Sequence, residues 1–131
     1  MDANGMFACS PDGFVCEAGG VTSLLEIKSP FRAKDCPVWQ VDLEYLDEEK
    51  LRESHKYYGQ AQLGMQVTKT TKCYFFVYSS FGSKVIIVPR NEVYIDKLMK
   101  TLIPFYRDIY LPVICGEKEL ICTCKECCKT E

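Results

Sequence analysis

Apolar positions along the chain fall into short blocks separated by turn residues. Met6–Cys9 is short and apolar and runs into a Ser10-Pro11-Asp12-Gly13 turn. Phe14–Cys16 reads as a strand, Glu17-Ala18-Gly19-Gly20 as a turn, and Val21–Lys28 as the returning strand, stopped by Ser29-Pro30. Two strands around a Gly-Gly connection predict a hairpin. In Gln40–Glu53 the residues Val41, Leu43 and Tyr45 alternate with polar ones, which predicts a strand, then a turn at Asp47-Glu48-Glu49 and a short strand. Ser54–Val67 reads as a helix capped by Ser54. At about 100° per residue, Tyr57, Gln60, Ala61 and Gly64 share one of its faces. Lys72–Ser79 and Lys84–Val88 read as strands around a Phe81-Gly82-Ser83 turn. Asn91 then caps a long helix through about Tyr110, with Ile95, Leu98, Met99, Leu102 and Tyr106 as its apolar stripe and a kink expected at Pro104.

The chain has 131 residues, 47% hydrophobic and 26% charged, which fits one globular domain with a modest core and argues against disorder. No apolar run approaches the roughly 18 to 20 residues that span a bilayer, and Met1–Phe7 lacks the pattern of a signal peptide. The expectation is an intracellular protein, nuclear or cytoplasmic, not secreted and with no membrane partner. Net charge is −2, so the chain is not uniformly basic. The charge is uneven: Lys69, Lys72, Lys84 and Arg90 lie in an acid-free stretch, while acids crowd between Asp42 and Glu53. A basic face beside an acidic site is compatible with that distribution.

Three residues carry the chemistry of the first hairpin. Glu26 and Lys28 stand two apart on a predicted strand, so their side chains share a face. Asp12, in the turn before the first strand, falls at the same end of the sheet if the hairpin closes. Two carboxylates on one face form an oxygen-rich site for a hard cation such as Mg²⁺. Glu-x-Lys on a strand is more often a solvated pair, but Leu24, Leu25 and Ile27 flank Glu26 here, and charges on a buried strand need partners.

Ser10-Pro11-Asp12-Gly13, Leu25-Glu26-Ile27-Lys28-Ser29-Pro30-Phe31 and Tyr57-Tyr58-Gly59-Gln60-Ala61-Gln62-Leu63-Gly64-Met65, in that order, resemble the motifs of the lambda-exonuclease or YqaJ branch of the PD-(D/E)xK nucleases. The resemblance covers roughly Met6–Tyr110. It implies an α/β (α+β) fold with a central mixed β-sheet flanked by helices, a restriction-endonuclease-like core. A core over residues 1–114 would be followed by a cysteine-rich tail over 115–131. The family's N-terminal helices are expected to be missing here, Met1 standing only eleven residues before Asp12.

The resemblance further implies a metal-dependent DNA nuclease that hydrolyses phosphodiester bonds in duplex DNA, as a 5′–3′ exonuclease in recombination or in viral or mobile-element DNA processing. By position, Asp12 and Glu26 would be metal ligands with the backbone carbonyl of Ile27, the metal being Mg²⁺ or Mn²⁺. Lys28 would be the catalytic lysine, and Gln60 would orient water or phosphate. Ser10 and Tyr57 would contact the DNA, and Arg32 and Lys34 would grip its backbone. DNA is the expected partner, with a single-strand annealing protein and a second copy of the chain as further ones. The alternative is a catalytically weak or inactive DNA-binding or recombination-partner module that keeps the nuclease fold.

Other residues carry blander expectations. His55 is expected to face solvent in the first turn of its helix. Tyr74, Phe75, Phe76 and Tyr78 are expected to serve the core more than to stack on bases. Trp39 is expected to be a packing anchor. Of the nine cysteines, five lie between Cys115 and Cys128, and with no secretory signal reduced thiols are the expected state. Zinc at these thiols, with Cys115 and Cys122 completing a set, is the minority reading.

Overall fold

The computed structural model describes residues 5–118. The tail cysteines Cys122, Cys124, Cys127 and Cys128, and with them the zinc reading, lie outside the described residues. The chain forms two compact units, residues 1–98 and 99–131.

The first unit is built on a four-stranded mixed sheet. Strands β1 (Gly13–Glu17) and β2 (Gly20–Lys28) form the antiparallel hairpin that the Gly-Gly turn predicts, with Gly19 and Gly20 at φ +112° and +138°. Such values are strained for any residue with a Cβ. Strand β2 continues parallel to β5 (Lys72–Val77), which pairs antiparallel with β6 (Lys84–Pro89), giving the order β1-β2-β5-β6. The parallel step requires a crossover, and helix α1 (Lys56–Thr68) lies within it.

Register assigns the faces. Leu24, Glu26 and Lys28 pair with Cys73, Phe75 and Val77, and these pair with Val88, Ile86 and Lys84. That face receives α1. Leu24, Cys73, Phe75 and Val77 are essentially inaccessible, as are Ala61 and Met65 on the helix. Contact is close enough that a Cβ on Gly64 would fall 2.7 Å from Leu24 Cδ2. The opposite face keeps Ile27, Val85 and Ile87 exposed.

Gln40–Glu53 departs from the predicted strand. A 3-10 turn at Val38–Gln40 leads into irregular chain, and only the two-residue strands β3 (Leu46–Asp47) and β4 (Lys50–Leu51) pair there. Leu43 and Tyr45 are buried. The alternation therefore marks burial of every second residue by a loop that has no strand beside it. The cap of α1 is also one residue later than expected: His55 Nδ1 accepts from Tyr57 N at 3.2 Å, and Ser54 plays no part. Trp39 keeps most of its surface exposed but rests on Gly82, where a Cβ would lie 2.3 Å from its ring.

Helix α2 (Glu92–Phe105) is capped by Asn91, whose Oδ1 accepts from Tyr94 N at 3.0 Å. Beyond it the second unit continues as a π-helical turn, Tyr106–Tyr110, and the short α3 (Leu111–Ile114). Pro104 offers no N–H to the preceding turn, and the wider hydrogen-bonding follows directly after it. Among the described residues no helix is long and apolar enough to cross a membrane.

Candidate active site

Strand β2 outruns β1. Their pairing ends at Gly13 and Leu25, so Ile27 has no β1 residue opposite it. Asp12, in the turn leading into β1, fills the gap: its Oδ2 accepts from Ile27 N at 2.7 Å. The aspartate is thereby held at the end of the sheet where Glu26 and Lys28 emerge on the face covered by α1.

Glu26 is buried, 4% exposed. Gln60, in the second turn of α1, donates from Nε2 to Glu26 Oε2 at 3.1 Å and accepts at Oε1 from Lys28 Nζ at 3.4 Å. Lys28 Nζ lies 3.7 Å from the same Glu26 oxygen and 4.7 Å from the centre of the Tyr57 ring. The glutamine thus bridges an acid and a base that alternate on one strand and pair with each other directly. Burial raises the Glu26 carboxyl above its ordinary value; Lys28 pulls it down and Asp12 pushes it up. A carboxylate that is partly desolvated, and that feels a second carboxylate, gains from a cation between them.

Behind Lys28 stands an aromatic wall. Tyr57 meets Tyr45 edge-on at 5.0 Å and His55 at 4.6 Å, and Tyr45 reaches Phe75 at 6.0 Å. The Tyr45 hydroxyl is buried without a partner in the described structure, and burial pushes its pKa up to about 12. His55 does not face solvent as expected, because its ring both caps α1 and packs against the two tyrosines. Tyr45 has no place among the sequence candidates. The alternation at Val41, Leu43 and Tyr45 marks it as buried, but nothing local says against what.

Of the sequence candidates, the fold brings Asp12, Glu26, Ile27, Lys28, Gln60 and Tyr57 together. Ser10 is exposed two residues before Asp12. Arg32 and Lys34 sit on or beside the 3-10 turn Phe31–Ala33 and bond elsewhere: Arg32 donates to the Asp42 carbonyl at 3.1 Å, and Lys34 lies over the Phe31 ring at 4.7 Å.

The geometry can be compared with known proteins. No family model matches the chain, and no curated protein matches it. Among solved structures, an alkaline exonuclease (LHK-Exo) from Laribacter hongkongensis superposes with a TM-score of 0.62 over 82% of this chain and 52% of that one, at 22% identity. The chain shares the fold of LHK-Exo. It spans about half of that protein's length. The mixed sheet with its helices is thus an α+β fold of the kind that LHK-Exo has.

A divalent cation fits the donor set. Among the described residues no three side chains of His, Cys, Asp and Glu converge as a ready-made metal cluster. Mg²⁺ does not require one, because it takes one or two carboxylates and completes its shell with water and substrate phosphate. Asp12 and Glu26 are two such carboxylates; burial raises the Glu26 pKa, and the Asp12 charge adds to that rise.

Proposed function

We propose that this chain is the catalytic core of a metal-dependent deoxyribonuclease that hydrolyses phosphodiester bonds, in the manner of a 5′–3′ exonuclease of the lambda-exonuclease type. The observation that carries the reading is the Glu26–Gln60–Lys28 constellation with Asp12 anchored beside it, on a fold shared with an alkaline exonuclease.

Each residue has a task in that chemistry. The Asp12 and Glu26 carboxylates, with the Ile27 carbonyl, would hold Mg²⁺ or Mn²⁺. The bound cation supplies Lewis acidity toward the phosphate and acidifies water. Lys28 places a positive charge where the phosphorane-like transition state accumulates negative charge, and its ammonium is held by the Tyr57 ring and the Gln60 amide oxygen. Gln60 binds both the ammonium and Glu26 and so fixes the lysine at the mouth of the site, where a phosphate would meet it. Ser10, Arg32 and Lys34 supply polar and basic contacts for the DNA backbone, which position a strand without reading its sequence.

The test is cleavage of end-labelled linear duplex DNA with Mg²⁺ and with chelator, by wild type and by Lys28→Ala. Metal-dependent hydrolysis that falls by orders of magnitude in the variant, with DNA binding kept, supports the reading. Binding of DNA with no metal-dependent cleavage by wild type would instead assign the chain to the non-catalytic DNA-binding class.

A further inference from the structure

Helix α1 begins on an unusual cap. Serine, threonine, asparagine and aspartate are the preferred cap residues. Here the imidazole of His55 takes the position, on extended backbone at φ −89° and ψ 145°. Its Nδ1 accepts from Tyr57 N at 3.2 Å, and the first turn of α1 carries no acidic residue. A ring nitrogen accepts through a free lone pair, so the cap holds only while Nδ1 is without a proton. The other ring nitrogen, Nε2, lies 3.7 Å from Glu44 Oε1, a weak pairing because the Glu44 side chain is 86% exposed.

The residue whose N–H is capped is also the one that backs the candidate lysine. The Tyr57 ring meets the His55 ring edge-on at 4.6 Å and carries Lys28 Nζ 4.7 Å from its centre. Tyr57 stands one turn before Gln60, the other group on that ammonium. His55 is thereby joined to Tyr57 twice, through a nitrogen to the backbone and through the ring to the side chain. Tyr45 packs on the other side, its ring centre 5.6 Å from that of His55. The Arg52 carbonyl accepts from His55 N at 3.0 Å, while the Arg52 guanidinium turns away to the Leu46 carbonyl. Glu53 and Lys56 flank His55 along the chain, and Lys56 Nζ lies 5.8 Å from the Tyr57 ring.

We propose that His55 is a positioning residue for Lys28: with Nδ1 unprotonated it fixes Tyr57, and through the Tyr57 ring the ammonium, and with Nδ1 protonated it releases both. The consequence for catalysis rests on the nuclease reading of the adjacent site; the positioning itself does not. Protonation acts twice in one direction. It replaces the acceptor that faces Tyr57 N by a second donor, and it places a positive charge at the positive end of the helix dipole. Glu44 favours the charged ring, but from solvent, where its pull is screened. A serine or asparagine here would cap α1 without titrating; the histidine makes the hold on Lys28 depend on pH.

The experiment is an NMR pH titration of the metal-free full chain and of two variants whose folding circular dichroism checks. It follows the His55 ring protons, the protection of the Tyr57 amide corrected for intrinsic exchange, and the Lys28 Cε protons, which the Tyr57 ring shields. His55→Asn supplies a cap oxygen that does not titrate, and His55→Phe keeps a ring without an acceptor. In wild type, Tyr57 protection should fall about fivefold or more on acidification, a typical cap's worth, with the midpoint of the His55 ring. The Lys28 signals should lose their shielding at that same midpoint. In His55→Asn both should keep their high-pH wild-type values; Glu26 titrates there too, so this variant is the control for changes at Lys28 that come from the carboxylate. In His55→Phe both should take the released values at every pH. In Mg²⁺-dependent cleavage of linear duplex DNA, kcat should fall about tenfold in His55→Phe with KM changed less than about twofold, and His55→Asn should keep the wild-type rate. Tyr57 protection or Lys28 shielding that ignores the His55 titration overturns the proposal. So does rescue by His55→Phe and not by His55→Asn, which would assign the role to ring packing alone. If none of the three proteins cuts DNA while the titrations run as expected, the nuclease reading fails and the positioning stands.

Discussion

Gln60 and Glu26 meet across 3.1 Å although 34 residues separate them, amide donor to carboxylate acceptor. The contact is what turns an alternating strand into a site. It gives the buried carboxylate a neutral donor and leaves Lys28 bound by the opposite end of the same amide.

Removing that amide should cost both stability and rate. Gln60→Ala takes away the hydrogen-bond donor of a buried carboxylate, a contact worth about 1.5 to 3 kcal/mol. Urea denaturation should show a loss in that range, and single-turnover hydrolysis should slow while Mg²⁺-free DNA affinity stays near wild type. Unchanged stability would mean that water replaces the amide without loss.

Glu26 makes a prediction with a definite sign in pH. Its carboxyl pKa is raised in the folded chain, chiefly by burial, so over the interval above the ordinary value of 4.5 the folded state holds a proton that the unfolded state has released. Stability from this group therefore falls as pH rises through that interval. Glu26→Gln removes the charge and keeps an acceptor for Gln60. The metal-free variant should be more stable than wild type at neutral pH, and the difference should vanish below pH 4.5, where the wild-type group is protonated in both states. Denaturation curves on both sides of that value check it; a variant less stable at neutral pH contradicts it.

Asp12 can be neutralised with its structural bond kept. An asparagine carbonyl oxygen can still accept from Ile27 N, the 2.7 Å contact that closes the end of the hairpin. Asp12→Asn should therefore melt close to wild type while losing most of its Mg²⁺ affinity in titration calorimetry. Equal affinity in the two proteins would remove Asp12 from the ligand set.

Gln62 tests the scaffold rather than the site. It is fully buried, donating to the Pro89 carbonyl and accepting from Asn91 N, both at 2.9 Å. It thus joins α1 to the end of β6 and to the cap of α2. Gln62→Met fills similar space but takes this partner from the Pro89 carbonyl and the Asn91 N–H, a cost of about 1 to 3 kcal/mol for the two hydrogen bonds. A drop in the urea midpoint of that size, with the unfolding slope unchanged, is the expected result.

Local rules were enough for much of the framework. The Gly-Gly turn and its two strands, the Asn91 cap, the strand pair around Phe81-Gly82-Ser83 and the helix carrying Gln60 all depend on interactions between residues a few positions apart, which sequence displays directly. The shared face of Glu26 and Lys28 follows from the two-residue period of a strand. Within Gln40–Glu53 the turn at Asp47-Glu48-Glu49 does join two short paired strands, β3 and β4, but the alternation before it reports burial alone, because a strand additionally needs a neighbour to pair with and Gln40–Tyr45 has none. His55 differs from its expected exposure for a related reason: a residue at the start of a helix faces solvent only if nothing packs over it, and Tyr45 and Tyr57 do.

Order along the chain supplies the groups at the end of the hairpin: two carboxylates and a lysine, with a glutamine on the helix that follows. What those groups do to one another comes from packing. Gln60 reaches Glu26 because α1 settles onto Leu24 at a glycine, Gly64, where a side chain would hold the helix off. Burial under that helix raises the Glu26 carboxyl, and Tyr45 and Tyr57 arrive from separate segments to back Lys28. Distances and desolvation belong to the packed state, since they arise between segments whose separation along the chain says nothing about their separation in space.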